Sequence, residues 1–266
     1  MSIELLQDLH LLTRDKQLNA DARRKLKQIR HLVNLLKPAL DDALARGEPL
    51  IVDCGAGKSY LGALLYELVL GPAGKGTLLA IEARPELSTA AADRAKRFAQ
   101  ARFKVVTGEI AATDLPSRPA IVTALHACDT ATDDALVLAI ASSADHVAVV
   151  PCCQAEVARQ LDKAKPSDEA SAALFEHPLH RRELGSHLTN VIRALVLEAH
   201  GYKTTVTELV GWEHSAKNEL ILGKRVQKFD RAARTRLRAV LERFHVEPSL
   251  VRQLTARGLD PRAEPS

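Results

Sequence analysis

The chain of 266 residues has few aromatic side chains and no long apolar run. Phenylalanine, tyrosine and tryptophan make up only 3% of it, so a surface that binds nucleic acid chiefly by stacking bases on rings is not expected. No stretch reaches the roughly 18 apolar residues that a membrane-spanning helix needs. The N-terminal sequence MSIELLQDLH lacks the layout of a signal peptide. These absences predict a soluble, cytoplasmic protein without a membrane partner.

Cysteine is also scarce, with Cys54, Cys128, Cys152 and Cys153 as its four occurrences, each in or beside a predicted strand end. This placement is typical of reduced thiols rather than of a disulfide framework. The last three could converge with His126, but adjacent cysteines do not easily face one ion and no C-x-x-C pair occurs, so no metal is predicted. A thiol could attack C6 of a pyrimidine ring, or the thiols could simply pack the floor of a cleft.

Glycine-rich nucleotide motifs are present only in part. The stretch VDCGAGKSYLG, which begins at Val52, contains GKS, but a phosphate-binding loop for ATP or GTP needs glycine where Val52 stands. The dinucleotide motif G-x-G-x-x-G fails because Tyr60 takes the place of its third glycine. The stretch contains an apolar strand, then Asp53-x-Gly55-x-Gly57, then an apolar helix. Its two glycines allow the backbone to approach a ligand closely at a strand end, although a tight turn without a ligand has the same pattern.

Strand and helix patterns alternate after Pro49, which predicts an α/β fold with a mostly parallel sheet covered on both faces. The predicted strands are 50–54, 77–82, 103–107, 120–125, 146–151, 202–210 and 218–226, the last one antiparallel. The predicted helices are 59–70, 86–100, 131–143, 153–164 and 188–200, with a polar segment at 165–187 before the last of these. The sheet thus has seven strands in a Rossmann-like arrangement.

Leucines at helical spacing predict a helical N-terminal cap, and a basic helical extension is expected after the last strand. We therefore divide the chain into a cap at 1–46, a central ligand-binding domain at 47–226 and a C-terminal extension at 227–266.

Ligands of open α/β sheets lie at the carboxyl ends of the strands, so the residues after each strand are the candidate site. Glu82 ends the second strand, where a carboxylate could accept hydrogen bonds from both hydroxyls of a ribose, although a strand-end glutamate is otherwise a solvated surface residue. Glu109 and Ile110 follow the third strand and could pair with and cover an adenine. The predicted cofactor-binding residues are Asp53, Gly55, Gly57, Lys58, Tyr60, Glu82, Ala83, Glu109, Ile110 and His126.

Candidate groups for chemistry follow strands four and five. They are His126, Asp129, Cys152 and Cys153. Histidine and aspartate could accept a proton from an attacking group, although a transfer that mainly needs alignment can proceed without a strong base. The loop before the last strand offers candidate substrate contacts, namely His214, Lys217 and Asn218.

Four segments in order carry a family resemblance: DCGAGKSYLG, LHACDTATDDAL, VPCCQ and EHSAKNELIL. Over roughly residues 25–226 the chain resembles class I S-adenosylmethionine-dependent methyltransferases. It is similar to the group that includes the glutathione S-transferase C-terminal-domain-containing protein and, more distantly, to tRNA 2′-O-methyltransferases with G-A-G-K-G and C-C-H-H motifs. The resemblance implies S-adenosyl-L-methionine as cofactor and methyl transfer to RNA. Ser59, Asp129 and Gln154-Ala155 depart from the tRNA enzymes, so their substrate does not carry over.

The net charge is +4, and basic residues concentrate near both ends of the chain. Between Arg14 and Lys37 eight lysines and arginines face only two acidic residues, and a second basic run extends from Lys224 to Arg243. Such runs form either a solvated helix face or a surface for a polyanion. We predict RNA as the partner, with Arg24 and Lys27 among its contacts. The alternatives are a non-catalytic RNA- or ribosome-binding protein and a methyltransferase that acts on a protein or small molecule.

Overall fold

A computed structural model describes residues 2–18, 20–125, 127, 130–151, 155–163, 168–209 and 219–263. It contains one seven-stranded sheet of order β3-β2-β1-β4-β5-β7-β6, in which β7 runs antiparallel to both of its neighbours. The strands are β1 Leu50–Cys54, β2 Thr77–Glu82, β3 Phe103–Thr107, β4 Ile121–Leu125, β5 His146–Val150, β6 Tyr202–Glu208 and β7 Glu219–Arg225. The predicted fold class is confirmed, and the first three strands match to the residue.

Eleven helices flank the sheet within the described ranges. They are α1 Ile3–Asp8, α2 Ala20–Arg46, α3 Tyr60–Leu65, α4 Gly71–Ala73, α5 Pro85–Arg97, α6 Thr130–Ala141, α7 Glu156–Lys163, α8 Glu169–Glu176, α9 Pro178–Ala199, α10 Arg231–Phe244 and α11 Ser249–Ala256. A π-helical turn, Tyr66–Leu70, joins α3 to α4, and a 3-10 turn, Ile110–Ala112, follows β3. None of the helices described here is both long and apolar enough to cross a membrane.

The segment at 165–187 differs from the prediction, because its described part is largely helical. The Asp168 carboxylate accepts a hydrogen bond from the Ser171 backbone N–H at 2.8 Å, which caps α8. Pro178 occupies the first position of α9, where a missing N–H costs nothing. The polar composition concealed these helix starts, so α9 begins ten residues earlier than predicted.

Alternation along the strands builds a core on each face of the sheet. Val52 and Cys54 of β1 pack with α6, α7, α9, α10 and α11, whereas Ile51 packs with α1, α2, α3 and α5. Because both faces are covered, β1 is buried along its whole length. The N-terminal helices thus share a core with the sheet, and the domain boundaries at 46/47 and 226/227 stay predictions.

Helix α2 runs from the carboxyl edge of the sheet to the opposite edge. At its C-terminal end, Arg46 forms an ion pair of 3.1 Å with Asp145, which directly precedes β5. Near its N-terminal end, the Lys25 Nζ lies 5.5 Å from the ring centroid of Tyr60, the first residue of α3. The N-terminal half of α2 therefore lies beside the turn that follows β1.

Candidate functional site

The turn between β1 and α3 adopts an unusual backbone conformation. Gly55 and Gly57 have φ angles of +62° and +57°, and Ser59 also lies in the left-handed region with φ 54°. A Cβ on Gly55 would come within 3.3 Å of the Ala127 Cβ, in the segment after β4. Glycine is thus favoured twice at Gly55, by backbone conformation and by close packing.

Glu82 is the centre of a hydrogen-bond cluster next to this turn. Its Oε2 accepts a bond from the Gly57 backbone N–H at 2.6 Å. Its Oε1 accepts bonds from the Arg84 backbone N–H at 3.1 Å and from the Arg84 Nε at 2.7 Å. The carboxylate is buried, with an exposed side-chain fraction of 5%, whereas that of Arg84 is 61%. The carboxylate of β2 is therefore tied directly to the glycine turn of β1.

The charge state of Glu82 follows from these bonds. Burial by itself raises the pKa of Glu82, but hydrogen bonds from the Arg84 side chain and backbone and from the Gly57 N–H outweigh it, so that the pKa lies below its ordinary value. Glu82 is ionised at neutral pH and can accept hydrogen bonds from ligand hydroxyls. The exposed Arg84 side chain can rotate away to make room for them.

Asp53 is the fourth residue of β1, before the turn, and is only 2% exposed. Its Oδ1 accepts a hydrogen bond from the Thr123 hydroxyl at 3.3 Å, while its Oδ2 has no partner among the described residues. Burial raises the pKa of Asp53 to about 7, against the opposing effect of the hydrogen bond from the Thr123 hydroxyl. The Ser59 Oγ is likewise buried without a partner in the described part of the chain. Such atoms are costly unless a ligand or water satisfies them, so they fit a binding site.

The other predicted cofactor-binding residues surround the same edge. The Lys58 and Ala83 side chains are exposed, Tyr60 is half-buried, and Glu109 is exposed beside the buried Ile110. The structure thus brings the ends of β1, β2 and β3 together as predicted, with an acidic and an apolar residue after β3.

Two side chains at this edge, Arg94 and Arg84, were not predicted from the sequence. The buried Arg94 of α5 donates to the Lys58 carbonyl oxygen at 3.0 Å and to the Asp8 carboxylate of α1 at 2.6 Å, which ties the turn to both helices. Arg84 engages Glu82. The contact between Arg84 and Glu82 has a local signal in the sequence, namely an arginine two residues after a glutamate that ends a strand. The contact between Arg94 and Lys58 has none, because the two residues are 36 positions apart.

Several predicted residues lie outside the described part of the chain, and their roles stay predictions. They are His126, Asp129, Cys152, Cys153, His214, Lys217 and Asn218. Within the described ranges no group of three or more histidine, cysteine, aspartate or glutamate side chains could hold a metal ion. Because His126, Cys128, Cys152 and Cys153 are not among them, the prediction of no metal is also untested.

The predicted substrate contacts Arg24 and Lys27 are exposed on the N-terminal half of α2. They belong to a set of exposed basic residues that we call the N-terminal basic surface, namely Arg14, Lys16, Arg23, Arg24, Lys27 and Arg30. Asp8, an acidic residue nearby in sequence, is neutralised by ion pairs with Arg94 and Arg97.

The basic residues of the C-terminal helices differ, because several are engaged within the protein. Arg234 is buried and donates to the Ala199 carbonyl oxygen at 3.3 Å. Three others pair with acidic side chains: Arg236 with Glu198, Arg243 with Asp168 and Arg252 with Glu156. The second basic run is thus less available to a polyanion than its sequence suggested.

Comparison with known proteins agrees with this architecture. No curated protein matches the chain. Magnesium protoporphyrin IX methyltransferase from Synechocystis PCC 6803, crystallised with bound SAH, has 12% identity and a TM-score of 0.50 and covers 84% of this chain and 94% of its own. The SAH-bound Podospora anserina methyltransferase PaMTH1 has 12% identity and a TM-score of 0.48, with coverages of 85% and 89%. An rRNA methylase from Streptococcus thermophilus has 13% identity and a TM-score of 0.42, with coverages of 70% and 93%.

At these identities the structural neighbours show the fold alone. The family model described as a methyltransferase domain matches residues 24–160, which is more than half of the chain. This match confirms the predicted class of enzyme, an S-adenosylmethionine-dependent methyltransferase. The chain belongs to the methyltransferase-domain family.

Proposed function

We propose that this protein transfers the methyl group of S-adenosylmethionine to RNA. The observation that carries the RNA part of the proposal is the position of the N-terminal basic surface. Lys25, within the same stretch of α2, lies over Tyr60 at the start of α3, so this surface adjoins the turn where the cofactor would bind. A polyanion held there would lie at the carboxyl edge of the sheet.

The residues around the turn suit the cofactor. S-adenosylmethionine supplies an electrophilic methyl carbon attached to a positively charged sulfur. Glu82, ionised and buried, would accept hydrogen bonds from the ribose hydroxyls once Arg84 rotates away. The Asp53 Oδ2, which has no partner among described residues, would accept one from a cationic donor of the cofactor. Ile110 would pack against the adenine ring.

Electrostatics favours RNA over a neutral acceptor. Arg23, Lys27 and Arg30 follow one another at spacings of four and three residues, so they lie along one exposed stripe of α2. Each lysine or arginine that meets a phosphate releases about one counterion, which makes such a stripe bind nucleic acid in a salt-dependent way. We assign the RNA surface to the N-terminal end, because the C-terminal arginines described above are partly paired.

The finer resemblance noted in the sequence suggests tRNA or rRNA as the acceptor. This proposal includes the similarity to the group of the glutathione S-transferase C-terminal-domain-containing protein and to the tRNA 2′-O-methyltransferases. It also includes a cytoplasmic location. Because Ser59 stands where the tRNA enzymes have glycine and is buried in the turn, the acceptor atom does not follow from that resemblance.

The test is to incubate the protein with methyl-labelled S-adenosylmethionine and a cell extract, and to ask which fraction becomes labelled. We expect label that ribonuclease removes and protease does not. Label sensitive to protease, or label in small molecules, would contradict RNA as substrate. A protein that binds RNA but shows no thermal shift with S-adenosylhomocysteine would be a non-catalytic RNA-binding protein.

A further inference from the structure

A buried chain of polar side chains connects α6, α9 and β7. The Arg193 Nε donates to the Asp133 Oδ1 at 2.7 Å, and the Arg193 Nη1 donates to the Asn190 Oδ1 at 3.1 Å. The Asn190 Nδ2 then donates to the Glu219 Oε2 at 2.9 Å. The first three side chains are at most 6% exposed. We call these four residues the polar relay.

The relay ends at the carboxyl edge of the sheet. Because β7 is antiparallel, its first residue, Glu219, lies at the edge where β5 ends. The register pairs Val149 with Ile221, so its continuation by two residues places Glu219 beside Pro151. Glu208, the last residue of β6, is its cross-strand partner on the other side.

Glu219 lies on the half of this edge away from the residues assigned to the cofactor. Gly57 and Glu82 mark the ends of β1 and β2, whereas β7 is three strands from β1 in the order β1-β4-β5-β7. At about 4.8 Å between neighbouring strands, the separation is roughly 14 Å. That separation places the Glu219 carboxylate away from the residues assigned to the cofactor.

The polar relay is not needed simply to hold α9 against β7, because burying charged groups has an unfavourable desolvation free energy. Removing a guanidinium and a carboxylate from water has a large desolvation cost, and apolar side chains of similar volume often stabilise a fold as well or better. A connected series of hydrogen-bonded side chains instead fixes the orientation of the last side chain in the series. Here the terminal group is the half-buried carboxylate of Glu219, which Asn190 holds by one oxygen.

From this geometry we propose that Glu219 is a specificity-determining residue that accepts a hydrogen bond from an N–H or O–H group of the methyl acceptor, and that Asn190, Arg193 and Asp133 are positioning residues for it. The inference rests on the proposed methyltransferase function and narrows its substrate. An acceptor with a donor, such as an amine or a hydroxyl, is favoured, while a phosphate oxygen at that place is repelled by the carboxylate.

The first test compares Glu219→Gln with Glu208→Gln, which removes a carboxylate from the opposite strand at the same edge. For Glu219→Gln we expect kcat/KM for RNA to fall by about 10- to 100-fold, the size of one hydrogen bond to a charged group. Affinity for S-adenosylhomocysteine should stay within twofold for both variants, and Glu208→Gln should transfer methyl groups like the wild type. Equal activity of the two variants, or a parallel loss of cofactor affinity in Glu219→Gln, would overturn the proposal.

A second measurement does not depend on the acceptor. In Asn190→Leu, hydrogen exchange of backbone amides in Leu220–Leu222 should accelerate, because β7 loses its side-chain bond to α9. Thr130–Asp134, which Asp133 still ties to Arg193 of α9, and β1 should exchange as before. Acceleration of α9 alone would show that the relay does not position Glu219.

The two proposals fail in different ways. If the wild type labels protein instead of RNA, the RNA function is wrong, and the Glu219→Gln comparison is repeated with that acceptor. If it labels RNA and Glu219→Gln is unaffected, only the inference on Glu219 is wrong. Identification of the modified nucleoside distinguishes an amine from a hydroxyl acceptor.

Discussion

The carboxylate of Glu82 accepts a hydrogen bond of 2.6 Å from the backbone N–H of Gly57. This bond joins the end of β2 to the turn after β1, across 25 residues of sequence, and it leaves the carboxylate ionised in a buried position. The ends of β1 and β2, rather than any complete glycine motif, thus form the proposed cofactor site.

Replacement of Glu82 by glutamine should weaken binding of S-adenosylhomocysteine, because neutral oxygen and nitrogen atoms replace a charged acceptor for two hydroxyls. We expect a loss on the order of 1.5–3 kcal/mol for each hydrogen bond that is lost, measured by titration calorimetry. Glu86→Gln, an exposed glutamate in the first turn of α5, is the matched control and should bind normally. Unchanged affinity in Glu82→Gln would remove Glu82 from the site.

Arg84→Ala tests whether the guanidinium competes with the ribose for Glu82. The Arg84 side chain is mostly exposed, so its ion pair contributes about 1 kcal/mol or less. We therefore expect S-adenosylhomocysteine to bind slightly more tightly, by up to about fivefold. Affinity reduced tenfold would instead show that Arg84 contacts the cofactor.

The buried Asp53 should make the stability of the protein pH-dependent. Burial raises its pKa to about 7. The Asp53 carboxyl therefore keeps its proton up to about pH 7 in the folded state, whereas the unfolded chain releases that proton at lower pH. Stability should therefore decrease as pH rises from about 4 to about 7, by at most roughly 4 kcal/mol from this group. Melting temperatures of the wild type and of Asp53→Asn across this range provide the measurement. The difference between them should grow in favour of the variant at higher pH, and a constant difference would contradict the raised pKa.

The N-terminal basic surface should dominate the salt dependence of RNA binding. Replacing Arg23, Arg24 and Lys27 by glutamine should flatten the slope of log affinity against log salt by roughly two to three units for a duplex, and by less for a single strand. The control is the triple replacement of the paired arginines 236, 243 and 252 by glutamine, which changes the net charge equally. Equal slopes for the two triple variants would contradict the assignment of this surface.

Much of the fold was predictable because the signals are local. The strands β1, β2 and β3 are short apolar runs bounded by glycine, proline or charge, and Glu82 was a candidate simply because it ends β2. The helix α8 was missed because it is short and follows a stretch that contains lysine, proline and serine, which is typical of a loop. The bond from Asn190 to Glu219 spans 29 residues and depends on how α9 packs on β7, which no local pattern encodes.

The most direct test of the whole account is mass spectrometry of nucleosides from RNA that was incubated with the protein and with S-adenosylmethionine carrying a deuterated methyl group. We predict one nucleoside with the deuterated methyl for the wild type, a strongly reduced yield for Glu82→Gln, and a normal yield for Glu86→Gln. If no nucleoside carries deuterium although the protein binds S-adenosylhomocysteine normally, methyl transfer to RNA is contradicted. Equal yields from the wild type and Glu82→Gln would contradict the assigned cofactor site.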